Sequence, residues 1–362
     1  MKKQLTLLIA CFVLIIFGLI MVYSASSYSA SVYYGNDKFF LYKQLIGCVL
    51  GTFALIITSF IDYHKYAKMQ WLWLILCIVP LILVFVPGLG VSNYGARRWI
   101  GLPGFTIQAS EISKFAFVIF AGIYLSKQEN TKKFTKLLPI LAVGLAMCVL
   151  IMLEPNMSIT MCVGLVMVVM LFVGGISKKH FIMIAIPAII AVPLLIIIEP
   201  YRLSRLMAFI NPWAEPQGEG YQLVQSLYSL GSGGMFGVGL FNSRQKYMFL
   251  PFSESDFIFS IIAEETGLFG AICLLIIYFI MFICGISIAI SAKDKLGSLL
   301  ATGIIAIVCI QVLLNIAVVT GSIPPTGLPL PFISSGSSSL IVFMAGIGVL
   351  LNIARHGKNK KS

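Results

Sequence analysis

Residues 251–290 read PFSESDFIFSIIAEETGLFGAICLLIIYFIMFICGISIAI. From Thr266 to Ile290 there is no charged side chain, and a run of roughly 18–20 apolar residues is enough to cross a bilayer as a helix. The whole apolar segment, 257–290, is longer than a perpendicular span needs, so it is expected to tilt or to project beyond the hydrocarbon. Its acidic residues sit at the start: Glu254, Asp256, Glu264 and Glu265.

The rest of the chain has the same character. Of 362 residues 59% are hydrophobic and 10% charged, with a mean hydropathy of +1.00. Soluble chains approach about a quarter charged residues, so a soluble domain is excluded. The apolar runs have helix length, not the roughly ten-residue alternation of an outer-membrane barrel. Ten spans follow, near 4–26, 41–61, 70–88, 111–126, 137–153, 157–176, 181–199, 257–290, 298–320 and 339–354. The first could be read as a cleaved signal peptide, but its apolar run is long for that role and it is kept as a helix. The expectation is an all-α polytopic membrane protein, a single domain over 1–362, with residues 200–256 forming a large loop between the seventh and eighth helices.

Charge fixes the sides. One set of short connections and both termini carry 16 of the 25 basic residues, among them Lys2, Lys3, Lys65, Lys68, Lys132, Lys133, Lys178, Lys179, Lys293, Lys358, Lys360 and Lys361. By the positive-inside rule this side is cytoplasmic. The net charge of +12 is therefore topology and not a nucleic-acid surface. The eight cysteines all lie inside apolar segments without metal-like spacing, and read as small buried hydrophobes.

The opposite face is chemically different. It holds Lys38, Lys43, Arg97, Arg98, Lys114, Arg202, Arg205, Arg244 and Lys246, including five of the six arginines. Arginine's planar fork suits bidentate recognition of phosphate or carboxylate; pairing with Glu215, Glu219 or Glu254, or with lipid headgroups, is the plainer alternative. The loop 88–110 contains Gly95-Ala96-Arg97-Arg98-Trp99-Ile100, which serves as an interfacial anchor as readily as a binding site. Glu111 and Lys114, three residues apart, share a helix face and form either a structural ion pair or one that also orients a ligand. Glu154 and Glu199 each precede a proline at an outer helix end. Gly231-Ser232-Gly233-Gly234 has the composition of a phosphate nest, yet such runs more often serve close packing.

Taken in order, the motifs resemble those of the SEDS (shape, elongation, division and sporulation) peptidoglycan glycosyltransferases, over nearly the whole chain. The resemblance rests on Gly95-Ala96-Arg97-Arg98-Trp99-Ile100, Gln108-Ala109-Ser110-Glu111, and Gly218-Glu219-Gly220-Tyr221-Gln222 with Gln225-Ser226. It continues through Asn242-Ser243-Arg244-Gln245-Lys246, Asp256-Phe257-Ile258-Phe259, Glu264-Glu265, and Pro331-Phe332-Ile333-Ser334 with Gly336. The Gly-Tyr-Gln and Ser-Arg-Gln-Lys strings resemble the FtsW/SpoVE division and sporulation branch more than the RodA elongation branch. There are departures. Phe252-Ser253-Glu254-Ser255 follows Pro251 where the family usually has Glu-x-His/Gln-Thr, Ala109 replaces a proline, and Ser335-Gly336-Ser337-Ser338 replaces Tyr-Gly-Gly-Ser.

The resemblance implies a ten-helix enzyme of the bacterial cytoplasmic membrane that polymerises lipid II and releases undecaprenyl pyrophosphate. It also implies a divalent cation (magnesium or manganese), no organic cofactor, and a class B penicillin-binding protein as transpeptidase partner among division or sporulation proteins. Asp256 falls on the family's essential aspartate, and Ser334 and Gly336 fall among its substrate-binding motifs. Asp256 is then expected to act as general base or metal ligand, with Arg97, Arg98, Arg244 and Lys246 on the pyrophosphate. Glu264 and Glu265 are expected on different helix faces, so that both do not line one site and at least one is structural. A flippase for lipid-linked precursors, or a noncatalytic scaffold, are the rival readings; a flippase should carry polar groups at mid-membrane depth.

Overall fold

The ten apolar segments become helices of a computed structural model, which describes residues 2–93, 96–102, 105–128, 133–198 and 200–357. Gly95, Lys132, Glu199, Lys358, Lys360 and Lys361 lie outside the described residues. The helices are α1 (Lys2–Tyr34), α2 (Phe39–Phe60), α3 (Gln70–Leu83), α4 (Ala109–Ser126), α5 (Leu138–Leu153), α6 (Met157–Val173), α7 (Lys178–Ile198), α8 (Pro200–Ile210), α9 (Tyr221–Gly233), α10 (Ile258–Ser291), α11 (Lys295–Val319) and α12 (Ser337–His356). Short 3₁₀ turns cover Tyr63–Met69 and Phe134–Lys136. Three strands, β1 (Gly90–Asn93), β2 (Ala96–Leu102) and β3 (Phe105–Gln108), lie between α3 and α4. Among the described residues seven helical stretches are long and apolar enough to span a membrane, and α5 and α6 are shorter apolar helices. The proline-containing α7, 21 residues long, completes the ten expected segments.

Burial separates centre from periphery. In α4, 83% of the spanning window is buried inside the protein, against 22% in α2. The central helix therefore carries polar groups that lipid would not tolerate. Lys114 Nζ donates to Glu111 Oε1 at 2.7 Å and to Gln311 Oε1 of α11 at 2.6 Å. With Lys114 only 1% exposed, this is a buried pair whose remaining bond reaches a neighbouring helix.

Three departures from the expected layout have local causes. The α1 helix runs eight residues past the expected 26, to Tyr34. Hydropathy fades there because serines accumulate, but Ser26 and Ser29 hydroxyls are satisfied within the helix, donating back to the carbonyls of Val22 and Ser26. The loop 88–110 folds into an antiparallel meander, with Val91 opposite Trp99 and Ile100 opposite Ile107. Two residues separate each pair of strands, and one of these pairs is Pro103-Gly104, a turn dipeptide in the sequence. Finally, the interruption at 200–256 is not irregular throughout. The α8 and α9 helices occupy it, and α9 buries Leu223, Val224, Ser226 and Ser229.

The long α10 is broken. Gly267 has φ 69° and ψ −172°, a region open essentially to glycine alone. Around it the helical ladder is exchanged for bonds to the glycine-rich segment after α9. Leu268 and Phe269 donate to the carbonyls of Gly234 and Met235, while Val238 and Gly239 donate to those of Glu264 and Glu265. A Cβ on Gly237 would lie 2.2 Å from the Glu265 carbonyl oxygen. The glycine run therefore serves close backbone packing, not a phosphate nest.

Candidate active site

Asp256 lies two residues ahead of α10, at the end of the bundle opposite the lysine-rich connections. Three consecutive carbonyls hold its backbone against α11 and the segment between α11 and α12. Ser335 N–H donates to Glu254 O at 2.9 Å, Ser334 Oγ to Ser255 O at 2.6 Å, and Asn315 Nδ2 to Asp256 O at 2.8 Å. Asn315 also donates to Leu328 O and Gln311 to Pro329 O, so α11 fixes both sides of the contact. At Gly327 a Cβ would approach Asp256 Oδ2 to 2.6 Å, and only the missing side chain leaves room for the carboxylate.

The half-buried carboxylate is flanked by guanidinium charge. Burial pushes Asp256 up to about 6; the Arg98 guanidinium pulls it back, Glu254 adds to the rise, and Arg205 opposes it. Burial likewise raises Glu254, whose carboxylate accepts from Ser253 Oγ at 3.4 Å. Arg98, on β2, donates from Nε to Glu154 O at 3.1 Å and from Nη2 to Pro155 O at 2.6 Å. Arg205, on α8, donates from Nη1 to Pro325 O at 3.3 Å.

The expected residues divide into two groups. The charges of Arg98 and of Arg205 both act on Asp256. Arg97, the neighbour of Arg98 on a strand, is exposed while Arg98 is half-buried, as strand alternation requires. Lys246 is only 4% exposed and pairs with Glu265 at 3.3 Å, while its Nζ also donates to Phe241 O at 2.5 Å and Ser24 Oγ at 3.4 Å. Arg244 is exposed; its backbone N–H donates to Glu264 Oε1 at 2.9 Å, and with Ser232, Val238, Asn242 and Glu264 it lines a depression of about 450 Å³. Neither Arg244 nor Lys246 is among the charges that act on Asp256.

Glu264 and Glu265 both turn to the Ser243–Lys246 segment. Ser243 Oγ donates to Glu264 at 2.5 Å and Ser243 N–H to Glu265 at 3.2 Å. Expecting them on separate faces overlooked that a wrapping loop can meet adjacent residues of one helix. Ser334 and Gly336 also act on the protein itself: Ser334 Oγ accepts from Leu330 N–H, and Gly336 N–H donates to Gln44 Oε1 at 3.1 Å. Gln311, besides accepting from Lys114 of α4, joins Asn315 in securing the main chain at the site. Nothing local in the sequence links Arg205 to this site, because its approach to Pro325 depends on α8.

The class defined by this fold and site is a multi-pass membrane protein with a carboxylate poised between guanidinia where the helices end. Residues 5–359 match the FtsW/RodA/SpoVE family of cell cycle proteins. The chain belongs to that family. It is 40% identical over 360 residues to stage V sporulation protein E of Bacillus subtilis, covering 99% of this chain and 98% of that one. It is 36% identical over 359 residues to the probable peptidoglycan glycosyltransferase FtsW of Geobacter metallireducens, covering 99% and 96%. Its fold is similar to a chain in a solved structure described as structural coordination of polymerization and crosslinking by a peptidoglycan synthase complex, with TM-score 0.79, 25% identity and 96% of each chain covered. The crystal structure of RodA from Thermus thermophilus shares the fold, with TM-score 0.72, 24% identity and coverage of 98% and 97%.

Proposed function

We propose that the protein is a peptidoglycan glycosyltransferase that polymerises lipid II at the outer face of the bacterial cytoplasmic membrane, releasing undecaprenyl pyrophosphate. The observation that carries this reading is Asp256, clamped through three carbonyls beside Arg98 and Arg205. Glycosyl transfer from a lipid pyrophosphate needs a base for the acceptor hydroxyl and positive charge for the leaving group. Asp256 takes the proton; an aspartate raised to about 6 is a better base than an ordinary one and still ionised near neutrality. Arg98 and Arg205 stabilise the departing pyrophosphate in a site partly shielded from water. Attack by the acceptor oxygen on the anomeric carbon, with loss of pyrophosphate in one displacement, inverts that centre.

Among the described residues no three His, Cys, Asp or Glu side chains converge as a metal cage. Magnesium is commonly held by one or two carboxylates together with substrate phosphates. Asp256 would hold such an ion as the alternative to taking the proton itself, and the ion would supply positive charge that stabilises the leaving pyrophosphate.

The partner in this reading is a class B penicillin-binding protein, supported by the likeness to a chain of a polymerising and crosslinking complex. The likeness to a sporulation protein and to FtsW supports a place at a division or sporulation septum. The test is gel analysis of labelled lipid II incubated with the purified protein, alone and with candidate transpeptidases. A ladder of glycan strands is expected. Transfer of intact lipid II across vesicles, with no polymer under any pairing, would replace this reading with a flippase.

A further inference from the structure

Glu154 is a buried acid that the proposed chemistry leaves unused. It caps the end of α5, is 1% exposed, and both carboxyl oxygens are sealed without a hydrogen-bond partner. Yet a guanidinium lies beside it: Arg98 donates to the main-chain carbonyls of Glu154 and Pro155. An ionised carboxylate next to arginine forms short charge-assisted bonds, often bidentate. Here Arg98 bypasses the carboxyl group for two neutral carbonyls, the behaviour expected beside a protonated acid. Leaving an unpaired carboxylate in this position would be costly.

We propose that Glu154 is a positioning residue for the transfer reaction: as a neutral acid it leaves the Arg98 charge to the Asp256 pocket, and as a carboxylate it draws that charge away. This rests on the glycosyltransferase reading of the Asp256 site. Burial pushes the Glu154 carboxyl up to about 8, and Arg98 is the one charge resolved as opposing that rise. The same guanidinium acts on Asp256, so it is shared between the two acids. Of the elements packed on α5, α3 and α6 carry only Cys77 and Cys162 as titratable side chains. The α4 helix brings Tyr124 and the mutually paired Glu111 and Lys114, and the 3₁₀ turn brings Lys136.

Two measurements test this. Polymerisation by the full chain with its partner, each variant normalised to its own maximum, is followed as pH rises through about 8. The wild-type rate is expected to fall by about tenfold, the worth of one charge-assisted bond, and Glu154→Gln to lack the fall. The same decline in Glu154→Gln overturns the proposal. Independently of activity, the infrared carbonyl band of a buried carboxylic acid is titrated in wild type and in Arg98→Ala. It is expected to vanish as pH passes about 8 in the wild type, and at higher pH once Arg98 is gone. No such band, or a midpoint unmoved by Arg98→Ala, overturns it. A wild type that makes no polymer at any pH sinks the functional reading instead, and the infrared titration still decides the state of Glu154.

Discussion

Asp256 was legible as a residue because it is the acidic group at the mouth of a long uncharged helix and next to a basic loop. Its environment was not, since Gly327, Asn315 and Arg205 reach it from segments far along the chain. The same distance hides the surroundings of Lys246, whose partners Ser24 and Glu265 no local pattern reveals. Two expectations follow at this scale. Because the folded carboxyl titrates at about 6, the polymerisation rate should rise with pH through that value, in proportion to the ionised fraction. A rate independent of pH across this window contradicts a basic role. Arg205→Ala should lower kcat/KM by at least about tenfold, as expected for loss of a hydrogen bond to a charged group. Arg244→Ala should cost less, because its charge does not act on Asp256; kinetics on lipid II with both variants rank them.

Among the elements, hydropathy locates helices well and their ends poorly. The α1 helix continues to Tyr34 through serines whose hydroxyls bond carbonyls one turn back, which hydropathy does not register. The meander depends on pairing among residues of mixed character, which hydropathy does not distinguish. The break in α10 is the clearest case. The sequence shows Gly267 inside an apolar run, but not that Gly237 packs against it. At Gly267 a Cβ would meet Gly237 N at 2.3 Å in a conformation that side chains avoid. Gly267→Ala should therefore cost at least about 2 kcal/mol, read as a lower Tm in detergent, whereas Gly164→Ala, in open space, should change little.

For the molecule as a whole, ten helices and two chemically unlike faces could be read from composition, apolar run length and the placement of lysine. What remained hidden was which helix sits at the centre. The α4 helix is central and less apolar than its neighbours because its Glu111–Lys114 pair is completed by Gln311, which in turn holds Pro329 close to the site. Breaking such a buried pair at one end strands a charge, at a cost of about 3–5 kcal/mol. Lys114→Met should thus lower Tm sharply, and adding Glu111→Leu should recover most of the loss. The claim that joins all three scales is that one carboxylate, set among guanidinia at the end of this bundle, performs the transfer. The most direct measurement compares wild type with Asp256→Asn, each purified with its partner and shown to share the same Tm, on labelled lipid II. Glycan strands from the wild type and none from the variant are predicted. Strands of equal length and yield from Asp256→Asn would contradict the account.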